Sequence, residues 1–215
     1  PEPKAPAPGD PATFLLELGF EELPPDQVDS YASQLEAGLA DLFDRNRVAH
    51  GSISVVGSPR RIVAEVSAVA PAQAEHVATV RGPKRTAAFD ADGAPTRAAA
   101  GFAGKHGVDP ADLETVTVDG VEYVAVTRPE PVRPTAEVLA DELPGVIGSI
   151  SPRRAMRWSA GPAFGASRAL RWIVALLGDH VVGFTYADVA SGSTTRVLRN
   201  SDQPLVEVLH ADGFV

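Results

Sequence analysis

The chain has 215 residues, a formal net charge of −9 from 19 Lys and Arg against 28 Asp and Glu, 44% hydrophobic residues and no cysteine. This composition excludes disulfides and Cys-ligated zinc or iron–sulfur centres, and no apolar run is long enough to cross a bilayer as a helix. It provides for one large domain or two small ones with a real core, in a reducing, cytoplasmic setting.

In chain order, residues 1–12, PEPKAPAPGDPA, are Pro- and Ala-rich and read as an extended linker. The short apolar run TFLLELGF, 13–20, predicts a buried strand. A helix follows, with Val28, Tyr31, Leu35, Leu39 and Leu42 at three- and four-residue spacings. Glu21 and Glu22 read as early acids that complement its dipole. Residues 52–70 predict two strands or one bulged strand, broken at Gly57-Ser58-Pro59.

A different texture begins near Val80, and 80–130 reads as an inserted subdomain. It holds a turn at DADG, an Ala-rich helix capped by Thr96 and ended by Gly107, and a short helix capped by Asp109. A hairpin turning at Asp119-Gly120 follows. Residues 131–200 return to the main domain. They begin with a helix capped by Thr135 that kinks or stops at Pro144. In LRWIVALLGDHVV, Leu170, Ile173, Val174 and Leu177 fit a helix face, but the Gly178-Asp179 turn between two apolar runs fits a hairpin better. Residues 201–215 read as a tail or the start of a further segment. Strands and helices mix without regular alternation, which predicts an α+β fold: a mainly antiparallel sheet with packed helices and an inserted helix-plus-hairpin subdomain.

No active site assembles from the sequence. His50, His76, His106, His180 and His210 are spread singly, without metal spacing. DADG lacks the later ligands of a calcium loop. GASRA lacks the second glycine of a nucleophile elbow. GFAGKHG has His where a phosphate loop needs Ser or Thr.

Charge is strongly segregated instead. Eight acids and no base lie between Glu17 and Asp44. Residues 151–172, SPRRAMRWSAGPAFGASRALRW, hold five arginines, both tryptophans and the only methionine, without an acid. Arginine forks bind phosphate, and tryptophan offers a stacking face for RNA bases. The same arginines also fit pairing with acids, inside the chain or on a partner. Trp172, within WIVALL, reads as core, whereas Trp158 reads as more open.

Six strings in order, FLLELGFEELPP (14–25), SPRRI (58–62), RGPKRTAAFDADGAPTRAAAGFAGKHGV (81–108), RAMRWS (154–159), RWIVALLGDHVV (171–182) and ASGSTTR (190–196), resemble the N-terminal part of the glycyl-tRNA synthetase beta subunit of bacteria. The resemblance implies a non-catalytic segment of a class II glycine–tRNA ligase that contributes tRNA(Gly) recognition and docks on the catalytic alpha subunit or a fused catalytic domain, within an α2β2 or fused dimeric assembly and away from membranes. It assigns no cofactor to this segment, leaving ATP and magnesium to the alpha part. The leader at 1–12 would then be the joint of a fused enzyme. The tRNA contacts it suggests are Arg153, Arg154, Arg157, Trp158, Arg168 and Arg171, with Arg60, Arg61, Lys84 and Arg85 as secondary contacts. The sequence departs from the family at Ser167-Arg168-Ala169, where Arg-Pro is usual, and at Val197 onward, where Gly-His-Arg-Phe is usual.

Overall fold

In the computed structural model, residues 9–152, 156–157, 165–197 and 204–214 are described. They form two compact units, one from residues up to Ala74 together with Arg133 onward, the other from Glu75–Val132.

The first unit is organised around strand β1 (Ala12–Phe20), buried from Phe14 to Phe20. A strand covered on both faces reads as a continuous apolar run, which is why FLLELGF does not alternate. Helix α1 (Pro25–Arg45) follows, then β2 (Ile53–Ser58) and β3 (Arg61–Val69). After the second unit come α4 (Thr135–Ser149), the short pair β7 (Met156–Arg157) and β8 (Gly165–Ala166), and β9 (Leu170–Leu177). Next are β10 (His180–Val181), β11 (Thr185–Tyr186), β12 (Val189–Gly192), β13 (Thr194–Arg196) and β14 (Leu205–Glu207).

The main sheet has the order β11-β12-β9-β1-β3-β2, with β10 folded back on β9. Its pairs are antiparallel except β12 with β9. Strands β2 and β3 form one hairpin, in which Gly57 and Ser58 still pair within β2 and the turn is Pro59-Arg60. The GD turn at 178–179 joins β9 to β10 as a hairpin, not as a helix.

One face of the sheet carries Phe14, Leu16, Leu18 and Phe20 against Leu35, Leu39 and Phe43 of α1 and Leu139 and Leu143 of α4. Each such side chain, fully buried, stabilises the fold by about 1.5–3 kcal/mol. The opposite face carries Leu15, Val63, Trp172, Val174 and Leu176, covered by Val208 and Ala211 of the last described segment. Trp172 packs flat over Gly19, whose hydrogen faces the indole where any Cβ would overlap the ring.

Three local expectations are corrected. Helix α1 begins at Pro25, so Glu21 and Glu22 precede its first turn, which holds only Asp26. Thr135 is not the cap of α4: Pro134 stands there, and the Thr135 hydroxyl donates to Ala70 O at 2.6 Å. Pro144 does not stop α4, which runs on to Ser149 because Leu143, Val146 and Ile147 are buried around it. Tertiary burial outweighs the lost backbone bond.

The second unit pairs β4 (Val77–Lys84), β6 (Val121–Pro129) and β5 (Glu114–Val118) antiparallel in the order β4-β6-β5. Helices α2 (Arg85–Ala88) and α3 (Arg97–His106) pack Ala88 and Ala99 on Val124. The Thr96 side chain accepts from Ala98 N at 3.2 Å and caps α3, and Asp109 accepts from Ala111 N at 2.8 Å. Asp119 and Gly120 both have positive φ, 51° and 76°, as a two-residue hairpin turn requires. The first unit closes the gap left by this insertion with a hydrogen-bonded neck. Gln73 N donates to Arg133 O (3.1 Å), Arg133 N to Gln73 Oε1 (3.2 Å) and Thr135 N to Pro71 O (2.8 Å).

Gly19→Ala is expected to cost about 1–3 kcal/mol, because the tryptophan ring has no direction in which to yield without opening the second-face cluster. Urea unfolding followed by tryptophan fluorescence measures it, and unchanged stability would show that the indole does not rest on Gly19.

Candidate nucleic-acid interface

Antiparallel neighbours begin where the strand between them ends. Strand β1 ends at Phe20, opposite the starts of β3 (Gly19 with Arg61) and β9 (Phe20 with Leu170). This register gathers SPRRI, the FEE segment and SRALRW at one end of the sheet. Phe20 N donates to Arg60 O (2.8 Å), Glu21 N to Ala169 O (3.1 Å) and Leu23 N to Pro59 O (2.6 Å). A register shift between Gly19 and Phe20 leaves Arg171 as an extra residue on β9, exposed between buried Leu170 and Trp172.

Four of the sequence-predicted residues, Arg60, Arg61, Arg168 and Arg171, therefore converge. Arg171 Nε lies 3.1 Å from Glu21 Oε1. Arg168 Nε donates to Glu22 O at 3.0 Å, tying the edge to the start of the loop before α1. Arg60 has no ion-pair partner among the described residues, and its Nε is a buried donor without an acceptor. A fifth cation, Arg196 of β13, joins them and was not singled out from the sequence. Its guanidinium lies 5.5 Å from the Trp172 ring centroid, and that of Arg61 5.8 Å. The signal for Arg196 was the family string ASGSTTR, which ends on it.

Beneath the edge lies Glu17, on the second face of β1 and 0% exposed. Arg61 Nη1 is 3.0 Å from its Oε1. The same guanidinium donates to Thr195 Oγ1 (3.4 Å) and to Arg196 O, so it links the central strand to β13. Burial pushes the Glu17 carboxyl above the usual carboxylate range. The Thr195 hydroxyl, the Arg61 charge and the Trp172 indole N–H act in the opposite direction, in that order. Neither carboxylate oxygen has a hydrogen bond of good geometry, which is why desolvation prevails.

Ser167, where the sequence departs from the family, is buried and structural. Its Oγ donates to Gln27 Oε1, and its N donates to Tyr31 OH at 3.1 Å, fixing the start of β9 against α1. Lys84 and Arg85 belong to the second unit. Lys84 ends β4 opposite Tyr123, and Arg85 Nη1 lies 3.0 Å from Glu122 Oε2. Arg153, Arg154 and Trp158 lie outside the described residues, and of Arg157 only the backbone pairing in β7 is described. No group of three or more His, Asp or Glu among the described residues is arranged to hold a metal ion.

The first unit is thus an α+β fold with an arginine-lined edge at one end of its main sheet. Residues 14–215 match the family model described as glycyl-tRNA synthetase beta subunit, and the chain belongs to that family. It is 38% identical over 205 residues to a chloroplastic/mitochondrial glycine–tRNA ligase of Arabidopsis thaliana, covering 95% of this chain and 19% of that protein. It is 38% identical over 200 residues to the glycine–tRNA ligase beta subunit of Citrifermentans bemidjiense, covering 92% and 29%. With that of Desulforudis audaxviator it shares 41% over 184 residues, covering 86% and 27%. The chain thus spans less than a third of the length of these relatives.

Because the folded-state pKa of Glu17 lies above its reference value of 4.5, the native state binds more protons than the unfolded state between the two values. Stability contributed by the protonated carboxyl is present below 4.5 and is lost as pH rises through the folded value. Wild type is therefore expected to lose stability relative to Glu17→Gln as pH rises from 4.5, in urea titrations at stepped pH. A constant difference would place the Glu17 pKa at its ordinary value.

Proposed function

We propose that this chain is a non-catalytic, tRNA-facing segment of a glycine–tRNA ligase, serving the ATP-dependent glycylation of tRNA(Gly). The observation that carries the reading is the convergence of Arg60, Arg61, Arg168, Arg171 and Arg196 on one end of the sheet in a chain of net charge −9. Net charge governs the far field, whereas a local cluster of permanently charged forks governs contact with phosphate. Glu17, Glu21 and the Glu22 carbonyl hold three of these side chains in place. Arg60 and Arg196 carry no such ion pair among the described residues and are assigned the leading phosphate contacts. Arg153, Arg154 and Arg157 are assigned further phosphate contacts in this reading, and Trp158 a stacking or bracing role. ATP and magnesium serve the catalytic alpha part, with which this segment assembles as separate subunits or as one fused chain.

A second role, docking on that catalytic part, is favoured by a different observation. Val206 and Leu209, beyond the basic edge, are 42% and 75% exposed. Apolar side chains grouped in one exposed segment suit burial against protein.

Binding of tRNA(Gly) measured against salt tests the primary reading. Arg60→Ala/Arg196→Ala is expected to flatten the log–log salt slope by about 0.7–0.9 for each phosphate that the variant no longer binds. Arg153→Ala/Arg154→Ala/Arg157→Ala tests the remaining arginines in the same way. Unchanged slope and affinity in both variants would remove RNA from this surface. Loss of binding to the alpha part with RNA binding intact would assign the surface to docking.

A further inference from the structure

Two cavities open side by side on the basic edge and share one arginine. The first, about 370 Å³, has an apolar side of Phe20, Pro204 and Leu205 and a charged side that includes Arg171, Arg196 and Glu21. The second, about 590 Å³, lies over the turn from Ser58 to Arg61. Arg60 and Val197 line both. Each volume is in the roughly 300–1,000 Å³ range of small-ligand sites.

A duplex offers phosphates and keeps its bases stacked inside, so it has nothing to place against an apolar wall. A single strand presents both. Leu205 is 56% exposed, and its side chain is open to the face of a base. Glu21, beside Arg171, gives the first cavity a hydrogen-bond acceptor, which suits the N–H groups of a base and not a phosphate. A cation shared by two adjoining hollows suits a polynucleotide, in which one phosphate joins each pair of neighbouring nucleosides.

We propose that this cleft takes two consecutive unpaired nucleotides of an RNA strand, one base in each cavity and the phosphate between them on Arg60. The inference rests on the RNA-facing reading above and specifies which kind of RNA element that surface receives. Leu205 and Val197 supply the apolar contact, and Arg60 and Arg196 supply the charge.

The test uses the full chain and three probes: fluorescein-labelled hexauridylate, an RNA duplex with the same number of phosphates, and free UMP. Hexauridylate is expected to bind at least several-fold more tightly than the duplex. Leu205→Asn, at an exposed position that does not support the core, is expected to weaken hexauridylate about 3–10-fold with an unchanged salt slope and to leave duplex binding alone. Arg60→Ala is expected to lower the single-strand slope by about 0.7. UMP at millimolar concentration is expected not to displace the hexamer. Duplex binding that equals or exceeds single-strand binding, or a Leu205→Asn variant without effect, would overturn this inference and leave the RNA-facing reading standing. Displacement by UMP would replace the cleft with a mononucleotide site. Absence of binding to either RNA form would sink both readings.

Discussion

A strand with no solvated face and no free edge sets the terms for the first unit. Strand β1 must be paired on both sides and covered above and below, because its residues from Phe14 to Phe20 are withdrawn from water. The helices α1 and α4 cover one face, and β3 and β9 occupy its edges. The other face is closed by Trp172 and by the segment around Val208 and Ala211. That face also holds one carboxyl group, Glu17, whose burial the Thr195 hydroxyl, the Arg61 charge and the Trp172 indole N–H offset only in part.

The basic edge is a consequence of the same arrangement. Antiparallel pairing on both sides of β1 brings two arginine-bearing strand starts to the strand's end, where Glu21 and Glu22 emerge. The Glu21 carboxylate holds Arg171, the Glu22 backbone carbonyl holds Arg168, and Arg61 is held from below by Glu17. Arginines fixed in this way lose less side-chain entropy on meeting a ligand than free ones. Arg60 and Arg196, outside these contacts, line the cleft.

Where a local signal had a local cause, the sequence disclosed the element. The FLLELGF run, apolar apart from Glu17, the three- and four-residue spacing of α1, the Thr96 cap and the Asp119-Gly120 turn all follow from chemistry within a few residues. Thr135 and Pro144 misled because their surroundings are tertiary: Ala70, brought alongside across the neck, takes the Thr135 hydroxyl, and buried neighbours carry α4 past the proline. Glu21 looked like a helix acid because its carboxylate's partner, Arg171, lies far away in sequence, and Glu22 enters the edge through its backbone carbonyl, which accepts from Arg168. For the edge, residue types were legible and pairing was not. The convergence of SPRRI with SRALRW depends on strand order, which periodicity does not encode. Arg196 was passed over for the same reason. Ser167 drew notice only as a departure from the family, and its bonds to Gln27 and Tyr31 became visible once the helix and strand were placed together.

The neck formed by Pro71, Gln73, Arg133 and Thr135 carries an implication for how the chain acquires its structure. Fifty-eight residues, Glu75–Val132, separate its two sides in sequence, yet hydrogen bonds hold those sides as if joined by a tight turn. Loop-closure entropy grows only slowly with length, so an insertion that folds on itself adds little to the closure cost of its host. Evolution can therefore lengthen, shorten or replace the inserted unit at this point while β3 and α4 keep their positions, and the first unit acts as a stable socket for an exchangeable module.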